Sequence, residues 1–167
     1  MKVIFLDIDG VLNTEETYIE KSTDLDIDVF RLEYLKEIID NTKAKIVLSS
    51  SWRYFFHKEN DKVLPRTIRG KDLYDLFKKY GIEIYDITTT DFCFREEQID
   101  DYLKNHDVDN FVILDDEVFH LKKYENTKLI KTNFYKKDGL LLGLCMEHIP
   151  LIEQKLKENI KMKKLIK

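Results

Sequence analysis

The 167-residue chain is poor in the residues that staple, kink or loosen a fold: two cysteines, two prolines, five glycines. Cys93 and Cys145 share no metal-type spacing, and two thiols do not make a disulfide framework; they are read as packed free thiols in a reducing compartment. So few prolines and glycines exclude collagen-like and low-complexity chains. No apolar run reaches spanning length. The opening run Met1–Leu6 meets Asp7 at once, too early for a signal h-region or a membrane span, so the expectation is a soluble cytoplasmic protein without a targeting segment. Charge of one sign is also missing: 36% of residues are charged, yet the net charge is only −4. Global attraction to nucleic acid or to an anionic membrane is therefore not expected, which leaves at most a local basic patch.

What remains is 43% hydrophobic and 12% aromatic, enough for one proper core. Short apolar runs alternate with amphipathic segments, the pattern of a parallel α/β sheet. Strands are expected at Lys2–Leu6, Ala44–Leu48, Ile82–Ile87, Phe111–Leu114 and, marginally, Lys128–Lys131. Helical periodicity places Val29, Leu32, Leu35 and Ile39 on one face, and Leu73, Leu76, Phe77 and Tyr80 on another that Gly81 stops. A third helix is expected over Arg95–Asn105. A last one carries Ile149, Ile152, Leu156 and Ile160, with Pro150 in its first turn. Trp52–Gly70 reads as irregular, and Thr14–Asp26 as a polar connection. The expected architecture is a three-layer, Rossmann-like sheet of about five strands with helices on both faces. It spans 1–160, followed by a lysine-rich tail at 161–167 that is free to fray.

Open parallel sheets take ligands at the carboxyl ends of their strands. Here those ends carry Asp7 and Asp9, then Ser49 and Ser50, then Asp115 and Asp116. Four carboxylates in one crevice repel unless a cation joins them, and oxygen ligands of this kind suit Mg²⁺. Residues two apart on an extended chain point the same way, so Asp7 and Asp9 are expected to face one substrate, with Gly10 easing the exit. One carboxylate can attack phosphorus while the other moves the proton, and a strand-end serine can donate to the phosphoryl oxygens.

The string Val3–Asn13, with Asp7-Ile8-Asp9-Gly10-Val11-Leu12-Asn13, resembles the first motif of the haloacid dehalogenase-like (HAD) phosphatases. Ile46–Arg53 resembles the second motif and Val112–Asp116 the fourth. The strings Ser-Ser-Ser-Trp-Arg, Arg-x-Glu-x-Ile and Val-Ile-Leu-Asp-Asp are similar to those of the HAD domain of proposed Swiss Army Knife RNA repair proteins. The resemblance implies that Asp7 is the nucleophile and a metal ligand. Asp9 is then the general acid/base, touching the metal through its carbonyl. It gives the second-motif role to Ser49, with Ser50 next, and metal binding to Asp116, with Asp115 in support. The family's third-motif lysine is absent, and Arg95 is the nearest cation to replace it on the phosphate. Family caps are inserted after strand one or strand three. Neither gap has room for one, so a small flap at most is expected, leaving a site open to a phosphorylated polynucleotide end or another large substrate.

The rival readings are a nucleotidase or small-metabolite phosphatase, a phospho-accepting receiver domain, and a non-catalytic binding domain. Receivers carry the acceptor after a middle strand, unlike Asp7. The Asp-Ile-Asp-Gly string is not a calcium loop, because its glycine comes at position four rather than six. His57, His106, His120 and His148 lack metal spacing and are read as surface or packing residues. Trp52 and Phe55-Phe56 are read as core. Arg53, Arg66, Arg69 and Lys71 are read as a solvated loop, or as a grip on a polyanion.

Overall fold

The computed structural model of the chain describes residues 1–20 and 23–158. The expected tail at 161–167, and Ile160 of the last helical face, lie outside the described residues. In chain order the elements are β1 (Lys2–Leu6), α1 (Val29–Thr42), β2 (Lys45–Leu48), β3 (Phe56–Glu59), β4 (Lys62–Pro65), α2 (Ile68–Lys79), β5 (Ile84–Ile87), α3 (Arg95–Asn105), β6 (Asn110–Asp115), β7 (Leu129–Lys131) and α4 (His148–Lys157). Short 3₁₀ turns cover Ser51–Phe55 and Phe119–Tyr124. Five strands form a parallel sheet in the order β5-β2-β1-β6-β7.

Strand β1 is central and has no polar face. Alternation sends Ile4 and Leu6 to one side, against Leu32, Leu35 and Ile38 of α1, Phe77 of α2 and Ile152 of α4. Val3 and Phe5 go to the other side, against Ile99 and Tyr102 of α3 and Leu121 of the second 3₁₀ turn. A strand buried on both faces reads as a continuous apolar run, which is why these strands were legible. The result is three layers with two cores.

Two expectations need correction. The stretch Trp52–Gly70 is not irregular. It holds a 3₁₀ turn, the antiparallel hairpin β3–β4 and the start of α2. Asn60 and Asp61 both take positive φ (49° and 59°), as a tight two-residue hairpin turn requires, and Asn and Asp tolerate that region. The buried stripe of α1 is also rotated from the expected one: Arg31 and Ile38 are buried, Val29 and Ile39 only partly. Arg31 is accepted inside because Asp28 takes its Nε–H at 2.8 Å and the carbonyls of Leu142 and Leu144 take Nη1 at 2.7 and 2.8 Å. Burying a guanidinium is tolerable when its donors are paired in this way. Among the described residues no helix is long and apolar enough to cross a membrane.

Candidate active site

Register places the site. Leu6 pairs with Leu48 on one side and with Leu114 on the other, so the next residues, Asp7, Ser49 and Asp115, end up abreast. The Asp7 N–H donates to Leu114 O at 2.9 Å and the Ser49 N–H to Leu6 O at 3.0 Å, carrying the ladder one step past the strands. Chain connections run one way from β1 through β2 to β5 and the other way through β6 to β7. The carboxyl ends of β1 and β6 therefore flank the topological switch point, where such sheets open a crevice.

Asp7, Asp115 and Asp116 each bring a carboxylate oxygen within 4.8 Å of the others. Gly10 makes this approach possible: its φ is +77°, and a Cβ there would fall 2.3 Å from the Asp116 Cγ. Arg95, the first residue of α3, sends Nη1 to 3.1 Å from Asp7 Oδ2 and into contact with Asp115 Oδ2. A crevice of about 350 Å³ opens over this group, bordered by Asp7, Asp9, Arg95, Asp116, Glu117 and His120, with Ser51 at its edge. A larger cavity, about 400 Å³, lies among β4, α2 and β5, lined by Val63, Leu64, Tyr74 and Phe77. It gathers no catalytic set, so the acidic crevice is the candidate site.

The expected set of four clustered carboxylates is three. Asp9 faces the same crevice but is not in the tight group: it lies two residues beyond the end of β1, where Val11 and Leu12 donate back to Ile8 O at 3.2 and 2.8 Å and the chain turns. The Asp9 side chain is instead held at both oxygens. Asn13 Nδ2 donates to Oδ1 at 2.8 Å and Trp52 Nε1 to Oδ2 at 2.9 Å.

The serines divide differently from the expected ranking. The Ser50 hydroxyl favours the charged form of Asp7, and its Oγ accepts the Trp52 N–H at 3.2 Å. Ser49 Oγ is fully buried without a partner among the described residues, an unmade bond that costs about 1–3 kcal/mol. Ser51 is the member of the run that borders the crevice.

The electrostatics report crowded negative charge. Burial, then the charge of Asp7, pushes Asp115 up to about 7 despite Arg95. The same two causes push Asp116 up to about 6. Burial also raises Asp7, with Arg95 and the Ser50 hydroxyl opposing it. Arg95 is itself largely buried, which disfavours its charge, but Asp7 and Asp115 outweigh that and hold its pKa above the usual value. One guanidinium does not neutralise three carboxylates, and a cluster of hard oxygen donors with raised pKa values fits a divalent cation such as Mg²⁺.

Sequence reasoning missed several site residues. Trp52 is buried as expected of core, yet its indole N–H serves Asp9; a buried tryptophan needs a partner for that donor, and this was the available signal. His120, read as a surface or packing residue, borders the crevice. Arg53 is not a solvated loop residue but is buried, donating to Ser50 O at 3.0 Å and so supporting the serine turn. Arg69 lies 4.5 Å over the Trp52 ring. Cys93 is exposed rather than packed. Among the described residues no histidine joins a metal-type cluster.

One family model matches residues 3–140, that of the HAD domain in Swiss Army Knife RNA repair proteins. No curated protein and no solved structure gives a significant match.

Proposed function

Since the chain belongs to the family of HAD domains in Swiss Army Knife RNA repair proteins, we propose that it is a Mg²⁺-dependent phosphatase of phosphomonoesters that works through an aspartyl phosphate. The observation that carries this reading is the convergence of Asp7, Asp115 and Asp116 within 4.8 Å, beside Arg95 and under an open crevice. Asp7, Asp115 and Asp116 would hold the ion, with Asp9 contributing its carbonyl. The ion would supply positive charge for the phosphoryl oxygens and relieve the repulsion that raises Asp115 and Asp116.

The residues then divide the chemistry. An Asp7 oxygen attacks phosphorus, and the P–O bond to the leaving group breaks. Protonated Asp9 gives its proton to the departing alkoxide and, as a carboxylate, takes one from the water that hydrolyses the acyl phosphate. Trp52 and Asn13 orient Asp9 throughout. Arg95, 3.1 Å from Asp7, would bridge the phosphoryl oxygens in place of the family's lysine. Among the strand-end serines, Ser49, with its unpartnered hydroxyl, and Ser50 would donate to the same oxygens once the phosphoryl group sits against Asp7, beside Ser51 on the crevice.

The substrate favoured is a phosphorylated polynucleotide end. Among the described residues none from the β3–β4 hairpin borders the crevice, so nothing of a cap restricts the size of what enters. The family description points the same way. A phosphate-release screen tests the reading across 3′- and 5′-phosphorylated oligonucleotides, mononucleotides and sugar phosphates, in Mg²⁺ and in EDTA. Release should need Mg²⁺ and fall more than about a thousandfold in Asp7→Asn. Wild-type turnover in that variant would remove Asp7 as nucleophile, and preference for free mononucleotides would replace the polynucleotide with a nucleotidase substrate.

A further inference from the structure

An imidazole at the border of the crevice has two phenyl rings packed on it, and phosphoryl transfer needs none of the three. His120 borders the crevice with Asp7, Arg95 and Asp116. Its ring meets Phe94 edge-on at a centroid distance of 5.1 Å and Phe119 at 5.2 Å with a 51° tilt. Phe94 is 47% exposed and Phe119 67% exposed, and neither belongs to the two cores. Phe94 directly precedes Arg95, while Phe119 and His120 follow the Asp115-Asp116 turn. The two segments that deliver the guanidinium and the acidic pair therefore deliver the rings as well. Two partly exposed phenyl rings packed on an imidazole that borders a polar crevice offer a flat ligand an apolar surface to cover.

We propose that Phe94, Phe119 and His120 form a stacking subsite for the base of the nucleotide that carries the scissile phosphate. The proposal rests on the phosphatase reading and adds to it the class of group beside the phosphate. A nucleobase is flat and aromatic, with a polar edge, and matches two phenyl rings joined by an imidazole; a sugar phosphate offers no such face. Stacking of this kind tolerates any base, because every base has a π-face. Lys122, whose Nζ lies 5.5 Å from the Phe119 centroid, places a cation next to the platform for the neighbouring phosphodiester. That cation matters because the crevice floor is acidic and by itself repels a polyanion.

The test is equilibrium binding in Mg²⁺ to the Asp7→Asn protein, with turnover blocked. The probe is a fluorescent single-stranded octanucleotide, 3′- or 5′-phosphorylated, whose phosphorylated terminal residue carries a base or is abasic. The base-bearing probe should bind about tenfold tighter, within the range that one stacked base contributes. Phe119→Ala should bring that ratio close to one, Phe119→Trp should keep it, and Phe119→Leu, which preserves apolar bulk, should not. A ratio near one in the parent protein, a ratio unchanged by Phe119→Ala, or tighter binding of a phosphotyrosine peptide of matched charge would overturn the subsite. Equal affinity for a free nucleoside monophosphate supports the stacking and assigns it to mononucleotides. Base-dependent binding without phosphate release from any substrate by the unmodified enzyme refutes the hydrolase and keeps the subsite, whereas release without base discrimination does the opposite.

Discussion

The cost of holding the acidic cluster without a cation can be measured as a pH dependence of stability. Asp115 has no exposed surface, and its pKa rises from 3.8 to about 7 on folding. The folded protein therefore keeps a proton that the unfolded chain has already released. Stability contributed by that proton is intact below about pH 4 and is lost as pH climbs to about 7. At roughly 1.4 kcal/mol per pH unit the full loss is at most about 4.5 kcal/mol, an upper figure because Asp7 shares the titration. Other carboxyl groups contribute to the pH dependence as well, so the comparison should be with Asp115→Asn, which keeps an acceptor for the Glu117 N–H at 2.8 Å and removes the Asp115 titration. The amide placed against Arg95 adds an offset that does not vary with pH. Urea denaturation in EDTA between pH 4.5 and 8 should show the wild type losing stability relative to Asp115→Asn by up to about 3.5 kcal/mol. Mg²⁺ should return most of it to the wild type only. Parallel curves for the two proteins in EDTA would refute the argument that Asp115 carries uncompensated charge.

Three further outcomes follow from particular contacts. Gly10→Ala places a side chain at φ +77° and a Cβ 2.3 Å from Asp116 Cγ; it should weaken Mg²⁺ binding at least about tenfold by calorimetry, beyond the roughly 1–2 kcal/mol of backbone strain. Trp52→Phe keeps a ring but loses the 2.9 Å bond to Asp9; kcat should fall about tenfold or more at unchanged circular dichroism, as expected for a hydrogen bond to a charged group. Leu35→Ala, at a site with no exposure, should cost about 2–5 kcal/mol in chemical denaturation and leave the kcat of the folded fraction alone.

Much of the fold was legible because buried parallel strands have an unambiguous signature. Val3–Leu6, Ile46–Leu48 and Val112–Leu114 are apolar on both faces, and each ends abruptly in polar residues. The hairpin β3–β4 was hidden because its exposed strand, His57-Lys58-Glu59, carries no apolar alternation. The buried Arg31 stripe of α1 was hidden because its partners, the carbonyls of Leu142 and Leu144, lie more than a hundred residues away.

The candidate site divides along the same line. That Asp7, Ser49 and Asp115 would stand together was readable, since each sits at the carboxyl end of a strand and parallel strands end on one edge. Where the side chains point was not. Asp9 stays on the crevice yet outside the tight carboxylate group, its Oδ2 held by Trp52 from a 3₁₀ turn, and His120 comes to the crevice from another. Strand periodicity is a local property of the chain, so it shows in the string of residues. The orientation of groups beyond a strand's end depends on hydrogen bonds between segments distant in sequence, and those bonds exist only once the sheet has assembled.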